Sequence, residues 1–273
     1  MLFRSEGQAE YEGFKFGIAQ SEDYERSVRR HERSIARKAA LDSTWRPLEQ
    51  IGASEVWETA DTPAAELLYA EAFTTVDYVA RTFGEKALRP LLEGLADTPN
   101  DIDSVFRGLF GLSSAQLQDH VRQDIATKDA YEQSIDALIG WAKAMLALED
   151  QSRVVGQDLN AYIARRTVMS PSDRVAALLS LQQRYGALEA KAAAVAVPSP
   201  ASSTQAIYRQ SFAALSHAVA GFLDFERTGS NASRLAGNAA LDDAQRFGNA
   251  AHDFLLGLMR DNQIAANEVL GTA

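Results

Sequence analysis

The stretch YEQSIDALIGWAKAM, residues 131–145, decides the fold class of this chain. Its apolar residues recur at alternating steps of four and three: Tyr131, Ile135, Leu138, Ala142 and Met145. Such steps follow one face of an α-helix, whereas a half-buried strand repeats every second residue. A face this regular is typical of a helix that packs against others. The sequence therefore predicts a helix with one buried side.

The helical pattern continues along the chain, and no segment shows the alternation of a strand. A second stripe runs through Tyr208, Phe212, Leu215, Val219 and Phe222. Between the stripes, Ser170 followed by Pro171 predicts a helix start, and VPSPASS at 197–203 predicts the clearest break. We therefore predict an all-α chain, with a helical domain over residues 1–126 and an antiparallel four-helix-type bundle over residues 127–273.

Capping residues mark the helix ends in the first domain. Residues 21–41 predict a charged helix, and residues 42–61 predict an ordered connection. Pro90 predicts a kink or a delayed start in the helix around it. Further starts and stops are predicted at Asp61 or Thr62 followed by Pro63, at Gly84, and at Ser113 with Gln116 three residues on.

Composition and charge exclude several classes of function. The chain has 273 residues, a formal net charge of −10 and a pI of about 5.0, so it lacks the basic surface that nucleic acids and anionic membranes require. It has no cysteine, which excludes disulfides, thiol nucleophiles and thiolate metal sites. No apolar run predicts a membrane span, and MLFRSEG at 1–7 lacks the apolar core of a signal peptide.

The motif with the most chemical content is SEGQAEY, residues 5–11. On a helix, Glu6 and Glu10 would share one face, as a solvated helix end or beside a cation. The longer stretch FRSEGQAEY resembles the W-L-[SN]-E-G-x-A-x-Y element of gluzincin zinc metallopeptidases, although Arg4 and Gln8 depart from the apolar residues usual there. The resemblance implies that Glu6 is the third zinc ligand. In that family the other two ligands are the histidines of an H-E-x-x-H helix, roughly twenty residues earlier.

Two further segments resemble the same family in the same order. LLYAEAFTTVDYVARTFGEKALRPLLEGL, residues 67–95, resembles its Y-x-x-[GAS] element, apolar helix, Tyr/Phe-Gly pair and leucine-rich helix. DIDSVFRGLFGLSSAQLQDHVRQ, residues 101–123, resembles its closing element, in which F-G-[LMI]-[ST] precedes a final helix. The resemblance places Tyr69 where the aminopeptidase branch has an oxyanion-stabilising tyrosine, with Y-A-E-A in place of Y-x-K-G. The alternative for Tyr69 is an aromatic residue on a buried helix face.

The chain lacks the H-E-x-x-H motif that a gluzincin needs. His31 begins H-E-R-S-I but lies after Glu6, and we predict that it is a surface residue on a basic helix face. The other histidines follow no E-x-x-H pattern of the kind that di-iron bundles use: His120, His217 and His252. We therefore expect a fragment of a zinc metallopeptidase, with H-E-x-x-H encoded upstream of Met1, that is inactive as given. Zinc belongs to the intact parent, and no cofactor is expected on this chain alone.

The resemblance also implies partners for the parent, namely a peptide or protein substrate, and an extracytoplasmic location. No nucleic acid partner is expected. The alternative function is a non-catalytic helical binding or scaffold protein derived from a peptidase fold. A protein partner could then bind through the helices at 128–267, although their polar faces predict no convergent site.

Overall fold

The computed structural model describes three segments of the chain: residues 22–51, 54–97 and 101–270. Every regular element within these segments is a helix, which confirms the predicted all-α class for them. The chain divides into two compact units, Met1–Glu132 and Gln133–Ala273. None of the helices in the three segments is long and apolar enough to cross a membrane.

Among the described residues of the first unit, most helices are short. In chain order they are α1 (Glu22–Leu41), α2 (Leu48–Ile51), α3 (Ser54–Glu58), α4 (Thr62–Phe83), α5 (Leu88–Asp97), α6 (Ile102–Phe110) and α7 (Ser114–Ala126). Helix α1 confirms the charged helix predicted at 21–41, and the connection predicted at 42–61 contains α2 and α3. A 3₁₀ turn, Glu85–Ala87, precedes α5, so the helix around Pro90 has the delayed start predicted for it.

The predicted caps of the first unit are confirmed. The Asp61 side chain accepts a hydrogen bond from the first turn of α4, which contains Pro63. Gly84 ends this helix at a φ of 86°, a conformation that glycine adopts without steric cost. Ser113 and Gln116 form a reciprocal capping box at the start of α7.

Helix α4 forms the centre of the first unit. From Leu68 to Ala80 nearly every one of its residues is buried. Its apolar neighbours in the core include Leu91 of α5, Phe106 of α6 and Leu117 of α7. A helix that is buried on all sides also carries its polar residues inward, and Glu71 and Asp77 are both buried. Such groups require partners, and those partners define the polar centre of the unit.

The second unit consists mainly of long helices. They are α8 (Ala130–Arg165), whose first turn belongs to the first unit, α9 (Pro171–Ala194), α10 (Ser202–Thr228), α11 (Asn231–Asp261) and the short α12 (Ala266–Leu270). Helix α9 begins at Pro171 after the Ser170 cap, as predicted. The predicted break at 197–203 separates α9 from α10 and contains a 3₁₀ turn, Ser199–Ala201.

Cross-helix contacts give the directions of the long helices. Arg184 of α9 donates to Asp158 of α8, and Lys191 donates to Gln151, so α8 and α9 run antiparallel. Helices α10 and α11 are joined by a tight turn in which Gly229 has a φ of 70°. Most residues of the two predicted stripes are buried: Ile135, Leu138, Ala142, Met145, Tyr208, Phe212, Val219 and Phe222.

Candidate functional site

The gluzincin resemblance singles out Glu6 and Tyr69, and of these two the structure describes only Tyr69. Glu6 lies outside the described residues. Tyr69 is half-buried on α4, and its ring packs edge-on against Trp57, with 5.0 Å between the ring centroids. Trp57 is itself held in place, because its indole N–H donates to the carbonyl of Ile51. The aromatic packing expected of a helix residue is therefore present, and the oxyanion role of Tyr69 stays a prediction.

Glu71, two residues along the same helix, is a fully buried carboxylate. One of its oxygens accepts the backbone N–H of Arg46 at 3.0 Å, and the other lies 3.9 Å from the Arg46 guanidinium. Burial raises the pKa of Glu71 to about 7, and the hydrogen bond and charge of Arg46 oppose this only in part. Glu71 therefore changes its charge near neutral pH inside the core of the first unit.

We expect Glu71 to make the stability of the first unit depend on pH. Its folded pKa of about 7 exceeds the ordinary value of 4.5, so the folded state binds the proton more tightly. The resulting stability is fully present below about pH 4.5 and is lost as pH rises through 7. Glu71→Gln keeps an acceptor for Arg46 and removes the charge. The free energy of unfolding of this variant should exceed that of the native chain by an amount that grows by roughly 2–3 kcal/mol when the pH is raised from 5 to 8.

Urea denaturation at both pH values, followed by the fluorescence of the buried Trp45, measures this difference. Asp97→Asn is the control, because Asp97 is an exposed residue of the same unit. If the free energy of unfolding depended on pH equally in the native chain and in Glu71→Gln, Glu71 would titrate in the folded chain as it does in the unfolded chain.

A series of ion pairs joins α1, α4 and α7. The buried Asp77 accepts from Arg29 at 3.1 Å and from Arg81 at 2.8 Å. Asp124 of α7 accepts from Arg81 at 2.7 Å and from Arg33 at 2.6 Å. Burial alone would raise the pKa of Asp124, but the hydrogen bonds from Arg81 and Arg33 hold it below its ordinary value. Positive and negative groups thus alternate across three helices.

The series continues to the first turn of α8. Glu132 is buried, and its carboxylate lies 2.7 Å from Arg37 and 3.6 Å from Arg33. His31, on the same helix as these arginines, is exposed, which confirms its prediction as a surface residue. Because Arg33 is itself buried, the basic face predicted around His31 is partly turned into the core. These charges serve to hold helices together, since each buried one has an opposite partner.

The second unit contains a groove of about 780 Å³ between α8, α10 and α11. Its apolar wall includes Phe212, Leu215 and Leu241. Polar side chains from α8 and α11 complete the lining, among them Glu149, Ser152, Asp242, Asn249 and His252. The groove is open to solvent, and most of its lining side chains are polar, with an apolar wall on one part of α10 and α11.

Glu149 is the polar centre of this groove. The Tyr208 hydroxyl donates to its carboxylate, and His252 Nδ1 lies 3.1 Å from its Oε2. Because an ionised carboxylate only accepts, Nδ1 carries the hydrogen. Burial and the bond to Glu149 raise the pKa of Tyr208 above its ordinary range, so the phenol stays a donor. Residues from three helices thereby fix one carboxylate in the lining of the groove.

The described residues do not by themselves fit a zinc ion. Within residues 22–51, 54–97 and 101–270, no three histidine, aspartate or glutamate side chains form a group that could hold a metal. Zinc sites in proteins use three or four protein ligands at fixed geometry. Glu6, the ligand that the resemblance implies, lies outside these segments.

Sequence analysis missed the group around Glu149. His252 was noted only for lacking an E-x-x-H pattern, and the polar faces of these helices were predicted to lack a convergent site. His252 and Glu149 are 103 residues apart, so no local spacing connects them. The only available signal was Tyr208, whose hydroxyl requires a partner when its apolar stripe is buried.

Comparison with known proteins assigns no family to the chain. It matches no family model, and no curated protein or solved structure matches it. The gluzincin assignment therefore rests on the sequence resemblance.

Proposed function

We propose that residues 1–126 are the helical C-terminal part of a gluzincin-type zinc metallopeptidase domain, followed by an antiparallel four-helix-type bundle. The observation that carries the proposal is the order of three resembling segments, at 3–11, 67–95 and 101–123. Two helix boundaries of the first unit support the proposal. Helix α4 ends at Gly84, which belongs to the Tyr/Phe-Gly element of the second segment, and the Ser113 capping box follows α6 in the third segment.

In this proposal the intact parent hydrolyses peptides or proteins. Glu6 would be the third zinc ligand, and Tyr69 would donate a hydrogen bond to the developing oxyanion. Zinc would supply the Lewis acid that polarises the peptide carbonyl. The 273 residues contain no H-E-x-x-H, so the histidine ligands and the general base would have to come from outside them. The chain by itself is therefore proposed to be inactive.

The corresponding prediction is that the 273-residue chain shows no zinc-dependent peptidase activity. The experiment compares it with a chain extended by the upstream reading frame, both dialysed against zinc and assayed on a mixture of fluorogenic peptides. We expect stoichiometric zinc and hydrolysis only in the extended chain, and loss of both in its Glu6→Gln variant. Glu10→Gln is the matched control, because it removes a similar charge from the same motif.

Two results would contradict the proposal. Zinc-dependent hydrolysis by the 273-residue chain would show that a general base and ligands are already present. An upstream reading frame without H-E-x-x-H would rule out a gluzincin parent.

The second candidate is a non-catalytic helical binding or scaffold protein. The observation that favours it is the groove in residues 133–273, whose central carboxylate is fixed by Tyr208 and His252. A peptidase site in the first unit does not require such a groove. The candidate is tested by ligand binding at the groove.

A further inference from the structure

We propose that the groove between α8, α10 and α11 binds a small organic cation, a primary ammonium group carried on a ring-sized apolar body. This inference deepens the binding-protein candidate and concerns the second unit alone. It is therefore independent of the peptidase assignment, which zinc and peptide assays test separately.

The size and lining of the groove determine the apolar part of the ligand. A volume of about 780 Å³ accommodates a small organic molecule. Phe212, Leu215 and Leu241 offer an apolar wall on α10 and α11. A polar ion without an apolar body would leave this wall in contact with water, so a ring or short alkyl group is favoured.

The charges that face the groove determine the sign of the ligand. Its ionisable lining residues are Glu149, Arg153, Tyr208, Asp242 and His252. Arg153 lies 3.2 Å from Asp150, which offsets its charge. Asp242 forms no ion pair within the described segments, and Tyr208 stays protonated. The carboxylates of Glu149 and Asp242 therefore face the groove, and they disfavour an anionic ligand.

Glu149 is the group that would hold the ammonium. A carboxylate has about four acceptor positions, and the Tyr208 hydroxyl and His252 Nδ1 occupy two of them. Its side chain is still 28% exposed, so a donor can approach from the groove. Because both partners hold the carboxylate in one orientation, little conformational freedom is lost on binding. A primary ammonium has three donors, and these can bond the acceptor positions of Glu149 that Tyr208 and His252 leave free.

The experiment titrates benzylammonium chloride into the ¹⁵N-labelled full chain and follows amide chemical shifts. We expect saturable shifts in residues lining the groove, with a Kd on the order of 1 mM for a ligand this small. Benzyl alcohol, which has the same ring but no charge, should bind at least about tenfold more weakly.

Two substitutions locate the cation. Glu149→Gln should weaken benzylammonium binding by about tenfold or more, because a charge-assisted hydrogen bond is lost. Asp242→Asn should change the Kd by less than about twofold, because the ten residues from Asp242 to His252 span about 15 Å of α11. Asp253→Asn is the matched control, since Asp253 is an exposed residue of α11 that does not line the groove. It should leave the Kd unchanged.

Several outcomes would overturn the proposal. These are the absence of saturable shifts at about 20 mM benzylammonium, equal binding of benzyl alcohol, or an equal loss in Glu149→Gln and Asp242→Asn. If Glu149→Gln fails to fold, the comparison of benzylammonium with benzyl alcohol still decides the question.

Discussion

Replacing Glu132 by alanine should lower the free energy of unfolding of the first unit by about 4 kcal/mol. Arg33 and Arg37 would lose a buried carboxylate that lies 3.6 Å and 2.7 Å away, respectively. Arg33 keeps Asp124 at 2.6 Å, but Arg37 is left without this carboxylate. Because Arg37 is largely buried, water cannot readily replace the lost partner, and an uncompensated buried charge is costly. Glu132 also accepts the Asp129 backbone N–H at the start of α8, and alanine would remove that cap.

Hydrogen exchange of peptides from α4 and α7 measures this loss without interference from the second unit. Glu132→Gln keeps the acceptor at the cap and removes the charge, so it should cost somewhat less than alanine. Glu93→Ala is the control, because Glu93 and Arg89 form an exposed pair within α5 that should contribute less than about 0.5 kcal/mol. Similar losses for Glu132→Ala and Glu93→Ala would show that the buried ion pairs do not stabilise the unit.

Local sequence signals predicted the helices of this chain well, because each signal acts within a few residues. The caps at Asp61 and Ser113, the stop at Gly84 and the break at 197–203 are all where the pattern placed them. These signals work through backbone hydrogen bonds that are made or lost within one helical turn. The short helices α2 and α3 carry few such signals, and they were predicted only as part of a connection.

Long-range polar partners could not be predicted in the same way. Arg33 lies two residues from His31, on a helix face predicted to be basic, but its guanidinium lies 2.6 Å from Asp124, 91 residues further along the chain. Glu149 and His252 are similarly separated. Such partners depend on which helix faces meet, and helical period fixes only the face of each helix, not its neighbour. The buried charges of the first unit and the groove of the second therefore became evident only in three dimensions.

The close crossing of α10 and α11 shows how the second unit is held together. A Cβ added at Gly221 would lie 2.9 Å from the backbone of Gly237 and from the carbonyl oxygen of Ser233. A Cβ added at Gly237 would lie 2.9 Å from the ring of Phe222. The absence of side chains at these glycines therefore lets the two helix backbones meet, and the same glycines are otherwise poor helix formers.

Gly221→Leu should consequently destabilise the second unit by more than about 4 kcal/mol, since the clash is with backbone that cannot rotate away. Gly140→Ala is the matched control: Gly140 lies within α8, and no atom lies within 4 Å of a Cβ added there. That substitution should stabilise the unit by about 0.5–1 kcal/mol through helix propensity alone. Urea denaturation followed by the fluorescence of the buried Trp141 measures both changes. If Gly221→Leu were tolerated as well as Gly140→Ala, the two backbones could not be in contact at this crossing. The groove next to it, which is bounded by the same two helices, would then have a different width.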